Sequence, residues 1–90
     1  MSWWVYILRS EGAGRYYIGY SRNVEMRLAE HNEGRVSSTK PYRPWRVVHT
    51  EEFPTRPLAC RRERELKSKK SRVWLEEVVL TAEPASGLHG

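Results

Sequence analysis

The sequence predicts an α+β domain whose elements run β-β-α-β-α-α, and three observations carry that reading. Two stretches dense in aromatic and β-branched residues, Trp3 to Arg9 and Tyr16 to Tyr20, flank a glycine-containing turn. Later stretches space their apolar residues at helical intervals. Between two of them lies a third strand-like run that starts at Trp45. Ninety residues suit one small domain. It is expected over residues 1–80, with 81–90 a flexible tail that has little to bury.

The first two runs read as a hairpin across Glu11-Gly12-Ala13-Gly14, whose glycines are free to take positive φ. With Gly12-Ala13 as a two-residue loop, residue 8 pairs with 17 and residue 6 with 19. Cross-strand partners point the same way, so Tyr6, Leu8, Tyr17 and Gly19 share one face. Gly19 then leaves room over the Tyr6 phenol. Ser21 or Asn23 caps a helix over Val24 to Asn32 that ends at Gly34. Its apolar stripe is Val24 and Leu28, and the neighbouring stripe is Arg27 and His31 at i,i+4. Residues 35–44 read as a polar loop. A strand follows from Trp45 to Thr50, extendable to Phe53. Thr55 caps a second helix with Pro57 in its first turn and a Lys-rich end, where cations favour the helix dipole. A third short helix spans about 72 to 80 and carries Trp74, Leu75, Val78 and Val79.

Hydrophobic content of 39% and charged content of 30% describe an ordinary globule whose four Trp and five Tyr are expected to supply much of the core. No apolar run approaches the roughly 18 residues that span a bilayer, and no secretory signal is visible, so no membrane partner is expected. Cys60 is alone, which fits a reducing cytoplasm and leaves no structural zinc set. Net charge is +5, but 12 of the 16 Lys and Arg lie between Arg35 and Arg72 against four glutamates, making that stretch +8. Such a block points to a polyanion, with a merely solvated helix face as the bland alternative. The chain has no Asp, so carboxylate chemistry falls to Glu.

Glu63 shares one side of the second helix with Ala59 and Leu66, the side expected to pack inward. Arg62 and Arg64 lie about 100° away on either side and need not neutralise it. An inward carboxylate takes a partner. That partner is either an arginine such as Arg27, or Mg²⁺ or Mn²⁺, for which one Glu plus waters and phosphate oxygens suffices. Arg27 presents a planar fork to phosphate oxygens, or else pairs with Glu30 or Glu25. His31 either contacts phosphate or moves a proton, or is simply a protonated imidazole favoured at a helix C-terminus. Tyr6 and Tyr17 read first as sheet residues. A phenol, with its ordinary pKa of about 10, acts as a base at neutral pH only beside a guanidinium or metal that favours the phenolate. Arg35, Lys40, Arg43 and Arg46 around the long loop are candidates for holding phosphates. Lys67, in the run Lys67-Ser68-Lys69-Lys70, either contacts the nucleic-acid backbone or is a solvated helix end. Tyr42 and Trp45 either stack on bases or pack the loop down. His49 and His89 receive no role.

Taken in order, Trp4-Val5-Tyr6-Ile7-Leu8, Tyr16-Tyr17-Ile18-Gly19-Tyr20-Ser21, Asn23, Arg27-Leu28, His31-Asn32, Gly34, Tyr42-Arg43-Pro44-Trp45, Ala59, Glu63 and Lys67 resemble the GIY-YIG nuclease family. Trp4-Val5-Tyr6 stands for the first triplet and Tyr17-Ile18-Gly19 for the second. The pattern is most similar to small bacterial members that look like the N-terminal nuclease domain of the excision-repair excinuclease, which acts in DNA repair. The resemblance implies a three-stranded antiparallel sheet flanked by helices. It also implies an endonuclease that hydrolyses DNA, with branched, damaged or single-stranded forms as candidate substrates, using one divalent metal, Mg²⁺ or Mn²⁺. On that resemblance Tyr6 or Tyr17 activates water, Tyr6 being preferred. Arg27 stabilises the transition state, His31 assists, and Glu63 holds the metal. Larger relatives carry separate DNA-binding domains, so specificity here is expected to be weak or to come from a protein partner. The alternative is a catalytically weak or inactive nucleic-acid-binding module.

Overall fold

The computed structural model describes residues 1–69 and 75–78. Strands β1 (Trp3–Ser10), β2 (Tyr16–Ser21) and β3 (Trp45–Phe53) form one antiparallel sheet in the order β2-β1-β3. Helix α1 (Val24–Asn32) follows the hairpin, and α2 (Arg56–Lys69) follows β3. Residues 75–78 are helical, within the third helix expected from sequence; the remainder of that helix and the expected tail lie outside the described residues.

Central strand β1 alternates strictly, as a strand covered on both faces must. Val5 and Ile7 pack with Ile18, Ala59, Leu66 and Leu75 on the α2 side. Tyr6 and Leu8 pack with Trp45, Tyr17, Val24, Leu28 and Val47 on the α1 side. Val5, Ile7 and Leu8 are wholly inaccessible. At roughly 1.5–3 kcal/mol for each fully buried aliphatic chain, β1 anchors both halves of the core. The aromatic residues contribute less to the centre than expected. Tyr6 and Trp45 are buried, while Trp3, Tyr16, Tyr17, Tyr20 and Tyr42 pack around the margins. Their polar tips keep partners or solvent at the edge, which aliphatic chains do not need.

The hairpin pairs Tyr6 with Gly19 and Leu8 with Tyr17, as expected. Its loop differs, however. Ser10 receives the Gly14 amide at its carbonyl (3.2 Å) and donates its own amide to Arg15 (2.8 Å), so four residues, Glu11 to Gly14, turn the chain. Gly14 takes φ +66°, and the Ser10 hydroxyl accepts the Ala13 amide at 3.1 Å. A four-residue loop centred on the same bond preserves the register of a two-residue one.

Asn23 caps α1 by accepting the Met26 amide (3.0 Å), and Gly34 leaves it at φ +82°. The long loop is pinned at its end. Asn32 accepts the Trp45 amide (2.7 Å) and donates to the Trp45 carbonyl (2.9 Å). The Trp45 indole N–H donates to the Thr39 carbonyl at 2.9 Å. Trp45 is therefore a buried loop anchor and not a free base-stacking platform. Tyr42 is half-buried, with the Arg15 guanidinium 4.2 Å from its ring centre.

β3 carries a bulge that the sequence reading does not contain. Ile7 pairs with His49 but Leu8 pairs with Val47, leaving Val48 as the extra residue. His49 consequently sits on the α2 side, opposite Ile7. Its Nε2 lies 2.7 Å from Glu51, which accepts from Arg62 at 2.8 and 3.1 Å. Arg62 also bonds Glu65 at 2.7 Å. This network ties β3 to α2. Among the described residues no helix is long and apolar enough to cross a membrane.

Candidate active site

Adjacent strands deliver the two tyrosines to one face, and α1 lays Arg27 and His31 across them. The Tyr6 and Tyr17 ring centres are 6.3 Å apart. The His31 ring centre lies 4.6 Å from that of Tyr17 and 6.3 Å from that of Tyr6. The Tyr6 hydroxyl is 3.5 Å from His31 Nε2. Gly19 makes this possible, because a Cβ there would stand 2.7 Å from the Tyr6 oxygen and 2.8 Å from Cζ.

Burial pushes the Tyr6 phenol above its usual range, while the Arg27 guanidinium beside it acts the other way by hydrogen bonding and charge. Contact with the phenol in turn holds Arg27 firmly charged. Arg27 also pairs with Glu30, one of the two carboxylates that its surface reading named. His31 departs from the dipole explanation. It is fully buried, and burial first and the Arg27 charge second lower its pKa, with Glu30 opposing. Burial and the Arg27 charge therefore both disfavour an imidazolium at this helix end.

Glu63 lies on α2, beyond the opposite face of the sheet. It is mostly buried, with 17% of its side chain exposed, between the inaccessible Ala59 and Leu66. Its partner is Lys67 at 2.9 Å, one helical turn on, and not Arg27. Lys67 joins Tyr16, Tyr17, Ile18, Leu66 and Leu75 in lining a hollow beside β2. Of the two site tyrosines, Tyr17 and not Tyr6 lines this hollow. Of the loop cations, Arg35 is exposed beside Glu33 (3.0 Å) and Arg46 pairs with Glu11 (3.0 Å). Lys40 is exposed, and Arg43 donates through Nε to its carbonyl at 2.8 Å.

Three residues of this region escaped the sequence reading as functional or positioning groups. Asn32 locks Trp45. Glu30 appeared only as one pairing choice for Arg27. Thr39 is 2% exposed and places its hydroxyl 2.8 Å from His31 Nδ1. No local pattern announces Thr39, since it meets His31 only after the chain has turned back through the loop.

A model of the GIY-YIG catalytic domain matches residues 2–76. The chain belongs to the GIY-YIG family. It is 42% identical over 66 residues to a UPF0213 protein of Natronomonas pharaonis, covering 68% of this chain and 78% of that one. A UPF0213 protein of Staphylococcus haemolyticus is 41% identical over 66 residues, covering 72% and 79%. The solution NMR structure of a UPF0213 protein from Bacillus halodurans superposes with a TM-score of 0.57 at 35% identity, covering 90% of this chain and 85% of that one. This is therefore a small GIY-YIG protein with a nuclease-type catalytic domain, for which nucleic acid is the substrate. The two triplets that name the GIY-YIG pattern fall on β1 and β2, the strands that bring Tyr6 and Tyr17 side by side.

Proposed function

We propose that this chain is a metal-dependent endonuclease that hydrolyses DNA phosphodiester bonds, with branched, damaged or single-stranded DNA as its substrate class. The observation that carries the reading is the buried Tyr6 phenol, held between the His31 imidazole and the charged Arg27. A buried structural phenol needs only one partner for its hydroxyl; an imidazole and a guanidinium beside the same phenol also suit proton transfer.

Water attacks phosphorus in line with the leaving oxygen, forming one P–O bond as the other breaks. Tyr6 takes the water proton as its own proton passes to His31 Nε2, so a neutral phenol serves as base without a standing phenolate. Arg27 offsets the charge that grows on the non-bridging oxygens, and Glu30 holds the guanidinium in place. Tyr17 packs against His31 and bounds the site toward the β2 edge.

The residues present suit a hard divalent cation. Among the described residues no group of three or more His, Cys, Asp or Glu could hold a metal, so softer multi-ligand sites do not fit. Glu63 offers one mostly buried carboxylate. That matches Mg²⁺ or Mn²⁺, which completes its shell with waters and phosphate oxygens. Such an ion, when bound, polarises the phosphodiester and offsets charge on the leaving oxygen. Arg35, Lys40, Arg43, Arg46 and Lys67 hold the flanking phosphates in this reading, and a protein partner supplies selectivity in the cytoplasm.

One observation favours the second reading, a binding module of low turnover. Lys67 already neutralises Glu63 and must release it before a cation is held. The deciding experiment is cleavage of labelled single-stranded, duplex and branched DNA, with Mg²⁺ or Mn²⁺ and with chelator, by wild type and Glu63→Gln. Metal-dependent cleavage that is lost in a folded Glu63→Gln protein supports the nuclease. Salt-sensitive binding without any cleavage moves the conclusion to the binding module.

A further inference from the structure

Tyr6, His31 and Thr39 form a buried chain of hydrogen-bonding groups whose direction can be derived. Each member is inaccessible or nearly so, at 1%, 0% and 2% exposure. The Val36 carbonyl can only accept, so the Thr39 hydroxyl that bonds it at 3.2 Å spends its hydrogen there and leaves its oxygen to accept. The same carbonyl also receives the Thr39 and Lys40 amides. His31 Nδ1 lies 2.8 Å from the Thr39 oxygen and must therefore donate to it. A neutral imidazole that carries its hydrogen on Nδ1 accepts at Nε2. Nε2 stands 3.5 Å from the Tyr6 hydroxyl, whose single hydrogen it receives. The chain runs one way, from Tyr6 through His31 and Thr39 to Val36.

We infer that Thr39 is a positioning residue that fixes His31 as the Nδ1–H tautomer, leaving Nε2 to accept the Tyr6 proton. Thr39 is suited to the task because its backbone is itself fixed. Its amide bonds the Val36 carbonyl at 3.1 Å, and its carbonyl accepts the Trp45 indole N–H at 2.9 Å. Trp45 is locked in turn by Asn32, the residue after His31. The loop thus returns to the helix that carries the histidine and presents one oxygen to it. When His31 takes the Tyr6 proton, both ring nitrogens become donors. The Thr39 oxygen still accepts from Nδ1, so no bond has to reorganise. The charged groups facing the imidazole are Arg27 and Glu30. Neither bonds Nδ1, which leaves Thr39 to set the tautomer. The inference rests on the nuclease reading only for its effect on rate, because the tautomer exists with or without turnover.

The test is long-range ¹H–¹⁵N correlation of the His31 ring in the full ¹⁵N-labelled chain, for wild type, Thr39→Val and Thr39→Ser, at pH 7.5. Wild type and Thr39→Ser are expected to show the Nδ1–H form. Thr39→Val removes the acceptor at nearly constant volume and is expected to shift the ring toward Nε2–H. Single-turnover DNA cleavage by the same proteins is expected to fall about 10- to 100-fold in Thr39→Val, as for loss of an outer partner of a functional imidazole, and to recover in Thr39→Ser. An Nε2–H ring in wild type overturns the inference. So does an unchanged tautomer in a folded Thr39→Val protein. Should Thr39→Val fail to fold, the wild-type and Thr39→Ser spectra still decide it. Absence of cleavage in wild type, with the Nδ1–H ring present, defeats the nuclease reading and leaves the tautomer assignment supported.

Discussion

Substituting Gly19 by alanine tests the geometry of the site more sharply than removing any of its polar groups. The new Cβ would stand 2.7 Å from the Tyr6 oxygen, 2.8 Å from Cζ and 3.2 Å from Tyr17 Cε2. Ordinary contact begins at 3.4 Å, so the phenol must retreat by roughly 0.7 Å. Tyr6 is 1% exposed and cannot swing into solvent, so its ring presses on His31 and α1 or the hairpin yields. Overpacking of this kind costs about 1–3 kcal/mol. Replacing a strand glycine returns about 0.5–1 kcal/mol through the unfolded chain. The net loss is about 1–2 kcal/mol, or about 5–10 °C in Tm for a domain of this length. The effect on chemistry is larger, since a misplacement of about 1 Å can cost about 100-fold in rate. Gly12→Ala serves as the control, because nothing lies within 4 Å of a Cβ there. Thermal melts by circular dichroism and single-turnover cleavage should therefore separate the two variants, Gly19→Ala retaining its fold while losing about two decades of rate. A Gly19→Ala protein with wild-type rate would refute the claim that the Tyr6 phenol position limits turnover.

Glu51 should make the fold acid-sensitive. The His49 bond, reinforced by Arg62 and opposed by burial, holds its carboxyl at about 2 instead of the usual 4.5. A carboxylate with a depressed folded pKa stabilises the protein above the unfolded value, and that stability drains away between about pH 4.5 and pH 2. The full shift corresponds to about 3 kcal/mol; with 23% of the side chain in solvent, about 1–2 kcal/mol is the expected contribution. Unfolding free energies from urea titrations of wild type and Glu51→Gln should differ by that amount at pH 6, draw together below pH 4.5 and converge only near pH 2, whereas parallel pH profiles would contradict the network. Asn32→Ala should lower stability by about 2 kcal/mol, because it strands the Trp45 amide and carbonyl that the side chain satisfies. Urea unfolding at neutral pH checks it, and a loss under about 0.5 kcal/mol would mean that water replaces the amide.

What was legible in the sequence and what was not divides along a physical line. The pairing of Tyr6 with Gly19 could be read because hairpin register depends on the centre of the turn, which a four-residue loop shares with a two-residue one. Arg27 and His31 could be placed on one stripe because i,i+4 spacing is a property of any helix. The bulge at Val48 could not be read, since nothing in Trp45 to Phe53 marks where an extra residue must be absorbed, and with it went the His49–Glu51–Arg62 network. One of the two readings left open for His31, the imidazolium at a helix end, fails for a related reason. Its place at a helix end is local information and argues for a cation, but its pKa is governed by burial, which depends on the loop from residue 35 to 44 folding back over it. Glu63 shows the same competition in reverse, for its partner Lys67 was always one turn away on its own helix while Arg27 required tertiary placement. Local periodicity therefore delivers the right groups to the right face. Which of them are dry, and hence which protonation state each adopts, is decided by the segment that closes over them. Here that segment is the loop bearing Thr39, which places the determinant of the site's proton chemistry outside the pattern that defines the family.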